Sequence, residues 1–430
     1  MSKKQRVIET LKNLIIVVLV CSAVWLVRES QMFRVSGVLE PPARNQENSP
    51  QPSGHSAAVL PLHMAVMSQG GCCGVQYDSN ELSALFNRMA PVLNEALSGA
   101  GSPEPITREE WEALLISDPG VYFDFQGVLP LQVLSGWLSG QENSALTARA
   151  RHLLLAVDEQ ERVMLAYRDE DSGLYFACPA QLVSRNHLNS VVAQVSPNGA
   201  VFACQAADYA RMLAPYTIIT PQTPQPREYV ATNPIPAGEE QRLTELLEAL
   251  SFPLGITTIY ETPEGRRARS GNDTLSVSNS GLVTYSSTPE EQRYPVTASE
   301  GSSPVFAVVD SAARLVRGVL DLWRGDARVY LDRAEAEGQD RWRLEFRYAL
   351  DGAPVQIGQR GYAASVLVEQ GCITQFELQL RTYAALEQTT LVLPQKQAAA
   401  AMVELGKTGG QLQLRYQDSG ELAKAGWVAN

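Results

Sequence analysis

The chain has 430 residues, 45% apolar and 19% charged, a composition that excludes wholesale disorder and points to two or three domains. Lys and Arg number 35 against 47 Asp and Glu, a formal net charge of −12, which excludes a fold-wide phosphate-binding surface. Six cysteines are too few at this length for a disulfide scaffold.

The amino terminus is the most informative stretch. Lys3, Lys4, Arg6 and Lys12 lead into an uncharged run: Leu14, Ile15, Ile16, Val17, Val18, Leu19, Val20, Cys21, Ser22, Ala23, Val24, Trp25, Leu26 and Val27. Taken from Leu11, it makes about 26 Å of helix against a hydrocarbon core of about 30 Å, with Lys12 able to snorkel. A cleavage site after Ala23 would put Cys21 at −3, and the apolar run continues through Val27. Val20 before Cys21 argues against a lipoprotein signal. These features favour a retained single-pass anchor over a cleaved signal. The expected layout is a cytoplasmic tail over 1–10, a span over 11–28 and a flexible Pro-, Ser- and Asn-rich linker over 29–57. Almost all of the chain is then extracytoplasmic. Ser22 and Ala23 are small enough for close helix–helix contact.

A first α+β domain is expected over 58–220. It starts with a strand, Val59 to Met67, and a Gly-rich stretch around Cys72 and Cys73. A helix follows, with Leu82, Leu85, Phe86, Met89, Val92, Leu93 and Leu97 on one face and Gly99 past its end. Thr107 to Glu110 forms a capping box for a short helix, Val121 to Phe125 a strand, and Leu131 to Leu138 another helix. Strands at 162–168 and 173–177 flank an acidic turn, and a strand at 201–204 with an apolar helix ending near Leu213 closes the domain. Pro221, Pro224, Pro226, Pro234 and Pro236 mark a linker over 221–237, dense enough to forbid regular structure.

A helix from Glu239 and short strands fill a central segment, 238–302. The carboxyl-terminal segment, 303–430, begins with a helix over roughly 311–323. Trp342, Leu344, Phe346 and Tyr348 then alternate with Arg341, Arg343, Glu345 and Arg347, the pattern of a half-solvated antiparallel meander. A last helix opens at Pro394, and Leu412, Leu414 and Tyr416 alternate in a final strand. A helix followed by a meander thus occurs twice. The class is α+β, with antiparallel sheets.

No motif demands catalysis. Lys407-Thr408-Gly409 and Ser270-Gly271-Asn272 mimic two elements of a β-lactamase site, but no lysine has a serine three residues before it. His55, His63, His152 and His187 show no metal-ligand spacing and read as surface or capped residues. Asp169-Glu170-Asp171 reads as a solvated turn. Cys178 and Cys204 end similar segments (YFAC and VFAC), which leaves either a disulfide or two buried thiols. No catalytic residue, cofactor or metal is assigned, and the acidic balance argues against nucleic acid.

The layout and several segments resemble the YycH/YycI family: the basic leader with its short anchor, GVQYDSNELSALFNRM, GVYFDF, ARSGNDTLSVSNSGLVTYS, and the carboxyl region from LPQKQAAAAMVEL to LQLRYQDSG ending at Trp427. The resemblance implies three extracytoplasmic α+β domains, the last two related to each other. It also implies a non-enzymatic, membrane-bound regulator of a two-component sensor histidine kinase that controls cell-wall metabolism. The implied partners are that kinase, a related bitopic regulator and the membrane. Competing expectations are a cell-envelope enzyme or wall-assembly factor, marked by a nucleophile–base cleft, and an exported small-ligand-binding protein, marked by a large apolar pocket.

Overall fold

The computed structural model describes residues 59–430 except 237, 254, 256 and 430, so the expected tail, anchor and linker lie outside the described residues. In chain order the first region holds β1 (His63–Ser68), β2 (Gly71–Gln76), α1 (Ser79–Ser98), β3 (Glu104–Ile106), α2 (Arg108–Leu115), β4 (Gly120–Pro130), α3 (Leu131–Ser139), β5 (Arg149–Val157), β6 (Val163–Arg168), β7 (Tyr175–Pro179), α4 (Arg185–Val192), β8 (Val201–Phe202) and β9 (Ile218–Ile219). Seven strands form an antiparallel sheet in the order β2-β1-β4-β5-β6-β7-β3.

Local chemistry sets these elements. Asp78 accepts from the backbone N–H groups of Asn80 and Glu81 and so caps α1, whose buried stripe runs from Leu82 to Leu97. Thr107 and Glu110 complete the expected capping box of α2. The apolar stripes of α1, α3 and α4 cover one face of the sheet. Trp111 and Leu115 of α2 pack on the other, against Tyr122, Leu154 and Phe202.

Three expectations are corrected. Residues 207–212, expected in a helix, form turns, and are tied to the C-terminal region by the Gly409 N–H donating to Met212 O. The Pro-rich stretch is not irregular throughout, because its Pro-free interval forms β10 (Arg227–Thr232). His63 and His152 are neither surface nor capping residues; they are 5% and 3% exposed.

The rest of the chain forms α5 (Glu240–Ala249), β11 (Thr258–Thr262), β12 (Gly265–Ser270), β13 (Asp273–Ser278), β14 (Leu282–Ser286), α6 (Pro304–Leu320), β15 (Arg328–Gly338), β16 (Arg341–Leu350), β17 (Ala353–Ile357), β18 (Ala364–Glu369), β19 (Cys372–Gln379), β20 (Thr382–Thr389), α7 (Gln395–Glu404), β21 (Leu412–Asp418) and β22 (Leu422–Ala429). A second antiparallel sheet runs β11-β12-β13-β14-β19-β18-β16-β15. Each half is a helix with four strands of this sheet (β11 to β14, then β15, β16, β18 and β19), and the halves meet where β14 pairs with β19. The repeated helix-and-meander pattern is therefore built into one shared sheet. A third set, β20-β10-β22-β21-β17, joins it through β16 and β17.

The regions share one apolar core from Val59 to Ala425. At its centre α3 meets α6: Trp137 donates its indole N–H to Asp310 at 3.0 Å, and a Cβ on Gly136 would lie 2.5 Å from Phe306. The architecture is mixed α+β and dominated by antiparallel sheet.

Candidate functional site

Polar side chains inside apolar strands mark the site. β1, β4 and β5 lie side by side and are buried on both faces over most of their length. Strand register sets His63 opposite Asp124, and Asp124 opposite His152. Side chains alternate along a strand, so the three stand in one row on the face that carries Ala65, Tyr122 and Leu154. Just beyond, the register of β4 against β5 breaks and resumes at Leu129, with Gln126 at φ 62° in the break. There β15 crosses β4 so closely that a Cβ on Gly127 would lie 2.0 Å from the Leu331 carbonyl oxygen.

Asp124 is 1% exposed and its carboxylate is saturated. Oδ1 accepts from the Gln126 backbone N–H and from Arg151 Nε, both at 2.8 Å. Oδ2 accepts from Gln126 Nε2 at 2.8 Å, Arg151 Nη2 at 3.1 Å and Gln411 Nε2 at 3.3 Å. Burial by itself would raise this carboxyl. The charge of Arg151, with His152, His63 and the two Arg151 hydrogen bonds, outweighs burial and holds it well below the usual range. Asp124 is thus a permanent acceptor, poorly suited to carry protons near neutral pH.

Burial pushes His152 down to about 3, against the pull of Asp124. The imidazole is therefore neutral, and its Nε2, 3.7 Å from Asp124 Oδ1, makes no ion pair. Its ring is tilted against Tyr216 at 4.3 Å and stacked with Tyr122 at 5.9 Å. The His63 ring meets Tyr77 edge-on at 5.0 Å, and Tyr77 meets Trp427 at 6.1 Å. The Tyr77 hydroxyl oxygen accepts from the Leu414 backbone N–H at 3.0 Å. Gln411 and Leu414 thus tie the row to the carboxyl-terminal strands.

A row of carboxylate and imidazole resembles an acid–base relay, but the depressed Asp124 carboxyl and the depressed His152 imidazole do not suit one. The phenols of Tyr77 and Tyr122 are pushed up by burial, and burial raises the Cys72 thiol to about 12. The Nε2 atoms of both histidines and the Tyr122 hydroxyl have no hydrogen-bond partner among the described residues. What this arrangement does is pin the first sheet to the last strands.

The other expected residues are placed apart. Residues 14–27, the proposed anchor, lie outside the described residues. Cys178 and Cys204 are free thiols, the first in the main core and the second against the opposite face of the sheet. Lys407 donates to the Ala429 carbonyl oxygen at 2.6 Å in the turn after α7. A groove of about 1060 Å³ opens beside β2 and the start of α1. Its lining is mixed, with amides and hydroxyls such as Gln76, Asn198 and Thr220, the charged Asp78, Glu81 and Arg88, and the apolar Val75, Ala84 and Leu85, and so is not the mostly apolar pocket expected of a small-ligand carrier. Among the described residues no group of three or more His, Cys, Asp or Glu could hold a metal ion, and no helix is long and apolar enough to cross a membrane.

Local spacing missed the row because strand register joins residues far apart in the chain. The available signal was a polar residue within each of three strongly apolar segments, HMAVM, VYFDF and ARHLLLAV.

No family model matches the chain, and no curated protein matches it. Among solved structures, the crystal structure of YycH from Bacillus subtilis matches with a TM-score of 0.54 at 11% identity, covering 88% of this chain and 95% of that one. The fold is similar to that of YycH. The solution structure of cyanobacterial PsbP (CyanoP) from Synechocystis sp. PCC 6803 matches over 29% of this chain and 68% of its own, at 18% identity and a TM-score of 0.15, too low to imply a shared fold.

Proposed function

We propose that the chain is a YycH-like, membrane-anchored extracytoplasmic regulator of a sensor histidine kinase, acting by protein contact and not by catalysis. The observation that carries this reading is the fold likeness to YycH across nearly the whole of both chains. It agrees with the family that the segments of the sequence resemble, whose members regulate a two-component system controlling cell-wall metabolism. The buried Asp124 carboxylate, saturated by Gln126, Arg151 and Gln411, supports a structural role for this cluster.

In this reading residues 11–28 span the membrane with the amino terminus in the cytoplasm. Leu14–Val27 packs against the kinase's own spans, with Ser22 and Ala23 at the contact. The outer region then favours one of two kinase states by differential contact, since a partner that binds both states equally shifts nothing.

Photo-crosslinking of the full-length chain in native membranes tests the reading. Capture of a sensor kinase is the expected result. Capture of wall-synthesis enzymes alone, or recovery of the mature chain from the medium without residues 11–28, would overturn it.

A further inference from the structure

The second sheet ends at β11, which pairs with β12 and with no other strand among the described residues. Such an edge presents a row of unpaired backbone N–H and C=O groups. Proteins usually blunt it with Pro, Lys, a bulge or a covering element. β11 (TIYET) contains neither Pro nor Lys, its register with β12 is unbroken, and Thr258 to Glu261 are exposed. Ile259 is 46% exposed and Tyr260 41%, large side chains to leave in water on an edge.

The two faces of this edge differ. On one, Ile259 lies opposite Ala268, followed across the sheet by Leu275, Tyr285 and Phe376, all buried. The core face therefore runs out to Ile259 and stops uncovered. On the other, Tyr260 lies opposite Arg267, and Thr258 opposite Arg269. These arginines reach only Ser276 Oγ at 3.2 Å and the Gly271 carbonyl oxygen at 3.3 Å. Neither meets a carboxylate among the described residues, whereas Arg341, Arg343 and Arg347 of the same sheet each do. In a chain of net charge −12, this face of the edge carries two arginines without a counter-charge among the described residues, the edge's one acid, Glu261, lying on the other face opposite Arg266.

We propose that β11 is a docking edge for an extended segment of a partner protein in which apolar and acidic residues alternate. The added strand completes the backbone ladder, the mode by which peptides join exposed sheet edges. Its apolar side chains extend the core face over Ile259. Its carboxylates stand on the opposite face beside Thr258 and Tyr260. Strand spacing puts the newcomer about 10 Å from β12, a gap that an arginine and a glutamate side chain bridge together. A second copy of this chain lacks the complement. Paired edge to edge about a two-fold axis, it brings Thr258, Tyr260 and Thr262 to the arginine face and its one acid, Glu261, to the apolar face. The inference does not depend on the partner being a kinase.

Fluorescence anisotropy with the full-length chain in nanodiscs tests it. The probes are a labelled peptide of alternating Val and Glu, its Val/Lys counterpart and a shuffled Val/Glu peptide that loses the alternation. The alternating acidic peptide should bind on the order of tenfold more tightly than either control. The double variant R267E/R269E, changed only at exposed positions, should reverse the preference toward the Val/Lys peptide, and Ile259→Lys should weaken both. Amide hydrogen exchange should slow at 258–262 when the acidic peptide is bound. Equal binding of the three peptides, an unchanged preference in R267E/R269E, protection elsewhere with none at 258–262, or crosslinks joining β11 of two copies would each overturn the proposal.

Discussion

At the residue scale, Asp124 is a fully buried acid paired with Arg151. Its carboxylate accepts both Arg151 bonds inside the fold, so Asp124→Asn leaves a guanidinium only 16% exposed without its counter-charge. Breaking such a pair from one side costs about 3–5 kcal/mol, to be read from urea unfolding. Replacing both partners by apolar residues of similar size should cost less than either single change, because no charge is then stranded.

The row also sets a pH dependence. His152 titrates near 6.5 when unfolded and near 3 when folded. Above pH 6.5 both states are neutral and His152 contributes no slope. Between about 6.5 and 3 the unfolded state takes up a proton that the folded state refuses, so stability falls by about 1.4 kcal/mol per pH unit. Asp124 acts in the same direction lower down: its depressed pKa gives stability that is present above the unfolded value of about 3.8 and lost as the pH falls through the folded one. His152→Asn should remove about one proton from the slope between pH 6 and 4, measured by denaturation across that range. An unchanged slope would place the titrating group elsewhere.

At the scale of elements, β4 depends on Gly127, where β15 passes within 2.0 Å of any added Cβ. Gly127→Ala must displace that backbone. An overpacking cost of about 1–3 kcal/mol is expected in thermal unfolding, while Gly371→Ala, where no neighbour lies within 4 Å but φ is +73°, reports the cost of backbone strain alone.

Legibility followed the same physics. α1, α2 and β16 could be read in the sequence because each buries one side and wets the other, which leaves a period in the chain. β5 could not: its LLLAV run is buried on both faces, so it shows no alternation. β10 hid between Pro226 and Pro234, since proline density marked the segment and the seven residues between them supplied the strand. The apparent helix before Leu213 gave way to turns whose carbonyl and N–H groups pair with residues 409 and 410. The Asp124 row was hidden for a related reason, because it is created by register across three strands.

At the scale of the whole molecule, the sheets and the shared core make the described region one mechanical body. α7 packs Ala398, Ala399 and Met402 against Ala203, Leu213 and Ile219, and Gln395 donates to the Ile218 carbonyl oxygen at 3.0 Å. Deleting 395–430 should therefore loosen the first sheet as well as the last strands. The expected result is a marked gain in hydrogen exchange over 120–126 and 149–157; unaltered protection there would show that the regions fold independently. Such coupling suits a protein that transmits contact from one surface to another.

The most direct test of a contact regulator is the phosphorylation state of the kinase that crosslinking captures, compared in cells with the chain deleted, restored, and restored with Leu14–Val27 exchanged for an unrelated span. Kinase phosphorylation should change on deletion, return with the intact chain, and return incompletely with the exchanged span. Identical phosphorylation in all three strains would contradict it.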